Sequence, residues 1–260
     1  MIRAKKSLGQ NFLINEGVLD KIVQAAEVGP EDIVIEIGPG TGNLTKKLAE
    51  KAGRVIAIEK DHRLIEFLKN EFSPNSAYAG NVEIVEGDVL DLDIEKLFRN
   101  LKLEIRNSNY KVIGNIPYYI TSHFLRKIFS KWPTPKLIVL TVQKEVAKRI
   151  TAKPGDMNLL ALSIQLYSEP EIIMNVSKNS FRPVPKVDSA IIKLITHDLQ
   201  PTTRARNEKI LQTAKKAFAG KRKQLKNTLP EINLKTLGIN PETRPEELAI
   251  SDWLKISSVL

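Results

Sequence analysis

The fold of this chain is decided by the stretch Ile33-Val34-Ile35-Glu36-Ile37-Gly38-Pro39-Gly40-Thr41-Gly42. Its first half is a short apolar run, which predicts a buried strand. Its second half carries three glycines at alternate positions, which permit a tight turn and let a ligand approach the backbone closely. The spacing is G-x-G-x-G and not the G-x-G-x-x-G of dinucleotide sites. We therefore expect Gly38 and Gly40 to bind a nucleoside-type ligand without a diphosphate, such as a sulfonium nucleoside.

Short apolar runs alternate with amphipathic helical patterns on both sides of this stretch. The predicted strands are 33–37, 54–58, 82–85, 110–113 and 136–142. The predicted helices are 17–26, 44–52, 64–72, 94–101, 122–129, 146–150 and 159–167. Such alternation implies βαβ units and a mostly parallel sheet that is covered on both faces, so we predict an α/β fold. Two further β-like runs, 171–176 and 187–195, could complete the sheet.

The pattern changes near Leu199, beyond which only helical patterns occur, at 207–219, 224–229 and 246–254. We therefore predict two domains. Residues 1–199 form the α/β domain, and residues 200–260 form a small C-terminal helical domain.

The charge of the chain is strongly basic and unevenly distributed. The 260 residues carry a net charge of +10 with a pI of about 9.6. Residues 201–260 hold 12 basic and 6 acidic side chains. This balance favours a polyanionic partner, most often nucleic acid, and places it on the last quarter of the chain. A basic protein without such a partner is the alternative.

The composition also excludes several kinds of site. With no cysteine, the chain can form neither disulfides nor thiolate metal sites, and we expect no metal. The basic N-terminus has no apolar run behind it, so we expect no signal peptide. No apolar run approaches the roughly 20 residues of a membrane span. We therefore expect a cytoplasmic protein that does not enter the membrane.

Two acidic residues end the strands that follow the glycine stretch. Glu59 closes the second predicted strand, where a carboxylate can accept hydrogen bonds from ribose hydroxyls. Asp88 follows the third, where it can accept a hydrogen bond from an adenine amino group. Together, the glycine loop and the two acids are a specific signal for a nucleoside site, because they fall at the ends of successive strands of the βα pattern. The alternative is that they are simply turn residues at strand ends.

The sequence Asn115-Ile116-Pro117-Tyr118 closes the fourth predicted strand, at the end of the sheet where ligands bind. The exocyclic amine of adenine is a poor nucleophile because its lone pair is delocalised into the ring. The Asn115 side-chain oxygen and the Ile116 carbonyl can accept its hydrogens, with Pro117 fixing the backbone and Tyr118 stacking on the base. We predict methyl transfer onto a nucleobase. The alternative is an Asn-initiated turn before a helix.

An extended loop with Pro183 and Pro185 follows Phe181 and is a candidate second wall of the site. Phe181 could stack on the opposite face of an extruded base, which is worth roughly 1–3 kcal/mol. The alternative is a core phenylalanine that anchors the loop.

With these motifs in order, the chain resembles the ribosomal RNA adenine dimethyltransferases of the small-subunit type, over nearly its full length. The segments that carry the resemblance are Lys6 to Leu13, Glu36 to Gly42, Glu59, Asp88, Asn115 to Tyr118, Gln143 to Ala147, Ser180 to Ala190 and Lys221 to Leu229. One local departure is Tyr119, where a smaller polar residue is common in the family.

The resemblance implies a Rossmann-like methyltransferase sheet with S-adenosylmethionine as the methyl donor. It implies dimethylation of two adjacent adenines near the 3′ end of 16S-type rRNA during ribosome biogenesis. It also implies that Asn11 and Leu13 contact the cofactor together with Gly38, Glu59, Asp88 and Asn115. The substrate would be rRNA in a pre-ribosomal small-subunit particle, and we expect the protein to act as a monomer.

Basic side chains near the start of the predicted C-terminal domain are the candidates for phosphate contacts. They are Arg204, Arg206, Lys221, Arg222, Lys223 and Lys226. The alternative for any one of them is a solvated helical face.

Three other functions stay open. The 23S rRNA methyltransferases that confer macrolide resistance share the cofactor loop and the Asn-x-Pro motif, but Val187 to Ala190 look more like the small-subunit type. A non-catalytic RNA-binding assembly factor could use the same fold. A small-molecule oxidoreductase is disfavoured by the glycine spacing.

Overall fold

The computed structural model describes residues 3–76, 78, 80–103, 109–197, 200–220 and 222–259. The strands are β1 (Phe12–Leu13), β2 (Ile33–Ile37), β3 (Arg54–Glu59), β4 (Val82–Glu86), β5 (Tyr110–Asn115), β6 (Leu137–Gln143), β7 (Ser168–Val176), β8 (Phe181–Arg182) and β9 (Ser189–Thr196). The α-helices are α1 (Glu16–Ala25), α2 (Asn43–Ala49), α3 (His62–Glu71), α4 (Ile94–Asn100), α5 (Thr121–Lys131), α6 (Lys144–Ile150), α7 (Leu159–Gln165), α8 (Pro201–Ala219), α9 (Leu225–Thr228) and α10 (Ile250–Ser257).

Seven strands form one sheet in the order β4-β3-β2-β5-β6-β9-β7. The five strands from β4 to β6 run parallel, and β9 is antiparallel to β6. This confirms the predicted α/β fold with a mostly parallel sheet. The strand order reverses between β2 and β5, and the carboxyl ends of neighbouring strands part at such a point to leave a crevice for a ligand.

The core lies between this sheet and its helices. Apolar side chains of α1 recur at helical spacing, and Leu19 and Ile22 are buried in the same cluster as Val34 of β2 and Val55 of β3. Burying one such side chain is worth about 1.5–3 kcal/mol. Because parallel strands are covered on both faces, β2, β3, β5 and β6 are almost continuously apolar. The buried sheet holds the loops at its carboxyl edge in place.

The chain divides into two compact units. One comprises Met1–Ala147 and Glu171–Thr196, and the other comprises Lys148–Pro170 and His197–Leu260. The grouping differs from a single division near residue 199, because the chain passes between the units three times. Within the second unit, Phe218 stacks on Trp253 with ring centroids 6.0 Å apart.

Several element boundaries differ from the predicted ones. Helix α8 begins at Pro201 and not at residue 207, because proline is well suited to the first helical turn. The predicted helix 246–254 is a short 3₁₀ turn at Pro245–Glu247 followed by α10. The antiparallel pair β1 and β8 was not predicted, because each strand is only two residues long.

Candidate active site

A cleft of about 820 Å³, which includes solvent at its mouth, opens at the carboxyl end of the sheet. The loops after β2, β3, β4 and β5 line it, and the N-terminal segment closes one side. Its lining includes Gly9, Asn11, Phe12, Gly38, Gly40, Glu59, Lys60, Asp88, Asn115, Ile116, Pro117, Tyr118 and Tyr119. The structure therefore brings together every predicted cofactor residue except Leu13.

The glycine loop after β2 holds the N-terminal segment against the cleft. Gly40 has a φ of +60°, and a Cβ atom added to it would lie only 2.9 Å from Cδ1 of Phe12. A larger residue at position 40 would therefore be strained by its own backbone and would collide with Phe12. The loop needs glycine for both reasons.

Glu59 ends β3 with its carboxylate held by three backbone amides. Oε1 accepts hydrogen bonds from Lys60 N and Asp61 N, each at 2.9 Å, and Oε2 accepts one from Gly40 N at 3.3 Å. Burial raises the pKa of Glu59, and these amide donors offset part of that shift. The bonds fix the carboxylate at the edge of the cleft.

Asp88 lies across the cleft beyond β4 and is paired with Lys60. Lys60 Nζ is 2.5 Å from Asp88 Oδ2, and Leu90 N donates to Oδ1 at 2.9 Å. Burial alone would raise the pKa of Asp88, but the Lys60 and Leu90 hydrogen bonds outweigh it, so this pKa is lowered. Asp88 is therefore an ionised acceptor. Lys60 was not predicted from the sequence, because it is adjacent to Glu59 and otherwise resembles any surface lysine.

Asn115 ends β5 beside the glycine loop, in the strand next to β2. Its Nδ2 donates to the carbonyl of Asn11 at 2.9 Å, which turns Oδ1 the other way. Within the described part of the chain, neither Asn115 Oδ1 nor the Ile116 carbonyl accepts a hydrogen bond. Both residues line the cleft, so these two oxygens remain candidate acceptors for an amine.

The Tyr118 side chain is more deeply buried than expected for a ring that is free to stack on a base. Its hydroxyl is 2.6 Å from Ser189 Oγ, and burial raises its pKa, so the phenol stays neutral near pH 7. The hydrogen bond to β9 fixes the ring at the wall of the cleft.

Hydrogen bonds with Asp61 and Asn115 hold the N-terminal segment at the carboxyl end of the sheet. Gln10 Nε2 donates to Asp61 Oδ2 at 2.9 Å, and the pKa of Asp61 is lowered to about 2 by its bond with Arg63. Asn11 lines the cleft, as the resemblance implied. The residue pattern alone indicates no role for this segment, because the contacts that hold it come from residues distant in sequence.

Leu13 does not line the main cleft. Its side chain is buried in the hydrophobic core, and its carbonyl accepts a hydrogen bond from Asn43 Nδ2 at 3.2 Å. It lines a smaller neighbouring cavity of about 320 Å³ together with Glu36.

Phe181 was predicted to stack on a base, and the structure does not support that role. Its side chain is 0% exposed and packs in the hydrophobic core, while its backbone pairs with Leu13. A ring enclosed on all sides presents no face to a nucleobase. Phe181 is instead the core anchor of the loop that follows it, which was the alternative interpretation.

Glu36 is a buried polar group close to the glycine loop, and its hydrogen bonding is incomplete. Its side chain is 1% exposed, and Oε2 has no hydrogen-bond partner among the described residues. Burial raises its pKa to about 8, with a smaller contribution from Glu59, although the nearby Thr45 hydroxyl offsets part of the shift. Glu36 is therefore mostly protonated at neutral pH.

The predicted RNA-binding cations are mostly exposed. Arg206, Arg222, Lys223 and Lys226 are exposed, and Arg204 is partly buried. Lys226 is paired with Glu242 at 3.0 Å. Lys221 lies outside the described residues.

Two other kinds of feature are absent from the described residues. No helix there combines the length and apolar character that a membrane crossing requires. No cluster of three or more His, Cys, Asp or Glu side chains in those ranges is arranged to hold a metal ion.

A glycine loop at the topological switch point, with acids at the ends of the next two strands, is typical of α/β enzymes that bind a nucleoside. The chain belongs to the family described as Ribosomal RNA adenine dimethylase, which matches residues 1–260. It is thus an rRNA adenine dimethyltransferase that uses S-adenosylmethionine, and the resemblance stated from the motifs is confirmed.

Curated relatives cover nearly the whole chain. Ribosomal RNA small subunit methyltransferase A of Dehalococcoides mccartyi is 39% identical over 265 residues, covering 98% of this chain and 88% of the relative. The protein of the same name from Alkaliphilus oremlandii is 41% identical over 232 residues, covering 88% and 78%.

Two solved structures are similar over almost their full length. A dimethyladenosine transferase from Plasmodium falciparum has a TM-score of 0.76 at 31% identity, covering 94% of this chain and 95% of that one. The 23S rRNA methyltransferase ErmE has a TM-score of 0.75 at 27% identity, covering 95% and 98%. Backbone similarity alone therefore does not exclude 23S rRNA as the substrate, whereas the curated relatives described above carry the small-subunit name.

Proposed function

We propose that this enzyme dimethylates the exocyclic amines of two adjacent adenines near the 3′ end of small-subunit rRNA during ribosome biogenesis. The supporting observation is the pair of unused acceptors at Asn115 and Ile116, beside the glycine loop. The names of the curated relatives support the small subunit as the source of the substrate. We propose that the protein acts as a monomer in the cytoplasm, on a pre-ribosomal small-subunit particle.

The cleft fits S-adenosylmethionine because its polar groups match a nucleoside. Glu59 would accept from the ribose hydroxyls, and Asp88 from the adenine amino group. The ligand would contact the backbone of Gly38 and Gly40. It would also contact the backbone of the N-terminal segment at Asn11. When bound, this cofactor supplies an electrophilic methyl group on a positively charged sulfur.

Catalysis then depends on positioning the target amine. Asn115 Oδ1 and the Ile116 carbonyl would each accept one hydrogen of the amine, which localises its lone pair for attack on the methyl group. The Asn115 amide is already oriented by the Asn11 carbonyl, so little reorganisation is needed. No strong general base is required. After the first transfer the methylated amine releases one proton to solvent and keeps one hydrogen, which Asn115 Oδ1 or the Ile116 carbonyl can accept in a second round.

The target adenine must leave its RNA stack to reach these acceptors. Tyr118 lies on the wall of the cleft and would contact the extruded base. With Phe181 in the core, the base cannot be sandwiched between the two rings that the sequence suggested. Exposed cations of the second unit, including Arg206, Arg222 and Lys223, would bind rRNA phosphates.

Asn115→Ala tests the proposed mechanism, because it removes one acceptor, together with the hydrogen bond to the Asn11 carbonyl, and leaves the glycine loop and both acids. We expect methyl transfer to fall by at least about 100-fold, while affinity for S-adenosylmethionine stays within a few-fold of wild type. The assay is transfer of tritiated methyl to undermethylated small subunits, with calorimetry for the cofactor. Asn70→Ala, an exposed position on α3, is the matched control.

Mass spectrometry of the rRNA would identify the product. Dimethyladenosine at two adjacent positions of small-subunit rRNA is expected from the wild-type enzyme. Modification of 23S rRNA instead would support the resistance-type function, and absence of transfer with intact RNA binding would support an assembly factor. Near-normal dimethyladenosine from Asn115→Ala would refute the mechanism.

A further inference from the structure

The most exposed aromatic residue at the cleft is Tyr119, which neither the cofactor site nor the amine acceptors use. Its side chain is 66% exposed, yet it borders the same cleft as Asn115. Single exposed apolar residues are ordinary on protein surfaces. An exposed ring at the mouth of a site that takes up a nucleobase is a different case, because nucleobases bind to such rings by stacking.

The 3₁₀ turn Tyr118–Ile120 explains why consecutive tyrosines differ in exposure. Successive side chains of a 3₁₀ turn point about 120° apart. Tyr118 turns inward and bonds to Ser189, so Tyr119 points away from it towards the solvent. The turn is closed by Ile120 N donating to the Pro117 carbonyl at 3.1 Å, and α5 begins directly after it.

The Tyr119 ring is also held in place, by the backbone of Gly9. Gly9 has a φ of +64°, and a Cβ atom there would lie 3.1 Å from Cε1 and 3.3 Å from Cδ1 of the ring. The glycine therefore lets the N-terminal segment pack directly against the edge of the ring. An aromatic side chain fixed before binding loses little conformational entropy when a base stacks on it.

We propose that Tyr119 is a positioning residue on which rRNA stacks the base next to the adenine in the cleft. This inference rests on the proposed function, in which two neighbouring adenines react in turn. While one adenine is extruded towards Asn115, its neighbour lies one nucleotide away, at the mouth of the cleft. Stacking there would hold the second adenine close to the site.

The test compares Tyr119→Phe, which keeps the aromatic face, with Tyr119→Leu, which keeps apolar packing against Gly9 and lacks that face. The full-length enzyme is assayed on undermethylated small-subunit particles. We expect Tyr119→Phe to match wild type. We expect Tyr119→Leu to raise KM for the particle about 5- to 150-fold, with kcat and the affinity for S-adenosylmethionine within about three-fold.

A second substrate identifies the base that stacks. Particles with uridine in place of one of the two adenines should show a smaller KM difference between wild type and Tyr119→Leu at the remaining adenine, because uracil stacks weakly. An unchanged difference would overturn the proposal, since the ring would then contact another group.

Other results would also overturn it. These are an unchanged KM in Tyr119→Leu, or a loss of cofactor affinity as large as the rise in KM, which would make the ring part of the cofactor site. Failure of the proposed function is separately visible, because wild-type enzyme would then leave the adjacent adenines unmodified.

Discussion

The buried carboxyl group of Glu36 should make the stability of the fold depend on pH. It is the penultimate residue of β2, two positions before Gly38, and one of its oxygens has no partner among the described residues. An unpaired buried carboxylate is costly, so the group retains its proton well above the usual pH range.

The contribution of Glu36 to the stability of the folded protein should therefore fall as pH rises. The pKa is about 8 in the folded protein against 4.5 for an ordinary glutamate. The folded state thus binds more protons between these values, and the contribution to stability is fully present below about pH 4.5 and is lost as pH rises towards 8. Glu36→Gln should remove this dependence, so that its stability relative to wild type increases by roughly 4 kcal/mol from pH 4.5 to 8.

Urea unfolding of the cofactor-free proteins at several pH values between 5 and 8 measures this difference. Glu50→Gln, an exposed position that follows α2, is the control and should follow wild type. Parallel stability curves for wild type and Glu36→Gln would contradict the prediction.

At the residue scale, the sequence indicated which chemical groups belong to the site, but it did not indicate their burial or their contacts. Glu59, Asp88 and Asn115 were predictable because each follows a recognisable strand. The burial of Phe181 was not, since an aromatic residue before a proline-rich loop fits a core and a binding wall equally well. Lys60 and the orientation of Asn115 depend on contacts with Asp88 and Asn11, which no local pattern encodes.

At the scale of elements, a buried ion pair joins β5 to the segment before β2. Lys111 is 4% exposed, and its Nζ lies 2.8 Å from Asp32 Oδ2 and 2.6 Å from the Glu27 carbonyl. Asp32 also accepts a hydrogen bond from Gly29 N at 2.7 Å. The pair therefore ties the end of the first helical segment to the middle of the sheet.

Asp32→Ala should be strongly destabilising, because it leaves the Lys111 ammonium buried without its carboxylate. We expect a loss of roughly 3 kcal/mol in the free energy of unfolding. Adding Lys111→Met to the same chain should recover part of this loss, since the uncompensated charge is then removed.

Urea denaturation of the single and double variants provides the measurement. Glu95→Ala, which breaks an exposed pair with Arg99 at 3.9 Å, should cost less than about 0.5 kcal/mol. Equal losses of unfolding free energy in Asp32→Ala and Glu95→Ala would show that the buried pair stabilises the fold no more than an exposed pair does.

The central strands were predictable because parallel strands covered on both faces are almost continuously apolar. The antiparallel strand β9 was predicted as a β-like run, but its direction depends on packing against β6. Strands β1 and β8 form only through tertiary contacts, and each is two residues long. A strand that short shows no alternation of apolar and polar residues that could be recognised in the sequence.

At the scale of the whole molecule, the excess positive charge is concentrated in the last quarter of the chain. Arg222 and Lys223 are exposed there. Ions released from RNA phosphates make such binding dependent on salt.

Replacing both Arg222 and Lys223 by alanine should weaken binding to the small-subunit particle and flatten its salt dependence. The slope of log affinity against log salt should fall by about 0.7–0.9 for each lost phosphate contact. Equilibrium binding between about 50 and 200 mM salt measures it. Lys69→Ala, an exposed position on α3, is the control, and an unchanged slope in the double variant would place the RNA contacts elsewhere.

The hydrogen bond from Asn115 to the main chain at position 11 has a consequence for evolution. A peptide oxygen is present whatever side chain position 11 carries, so the orientation of the Asn115 amide survives most substitutions there. That part of the catalytic geometry is inherited through the path of the chain, and descendants can vary the identity of residue 11 while retaining it.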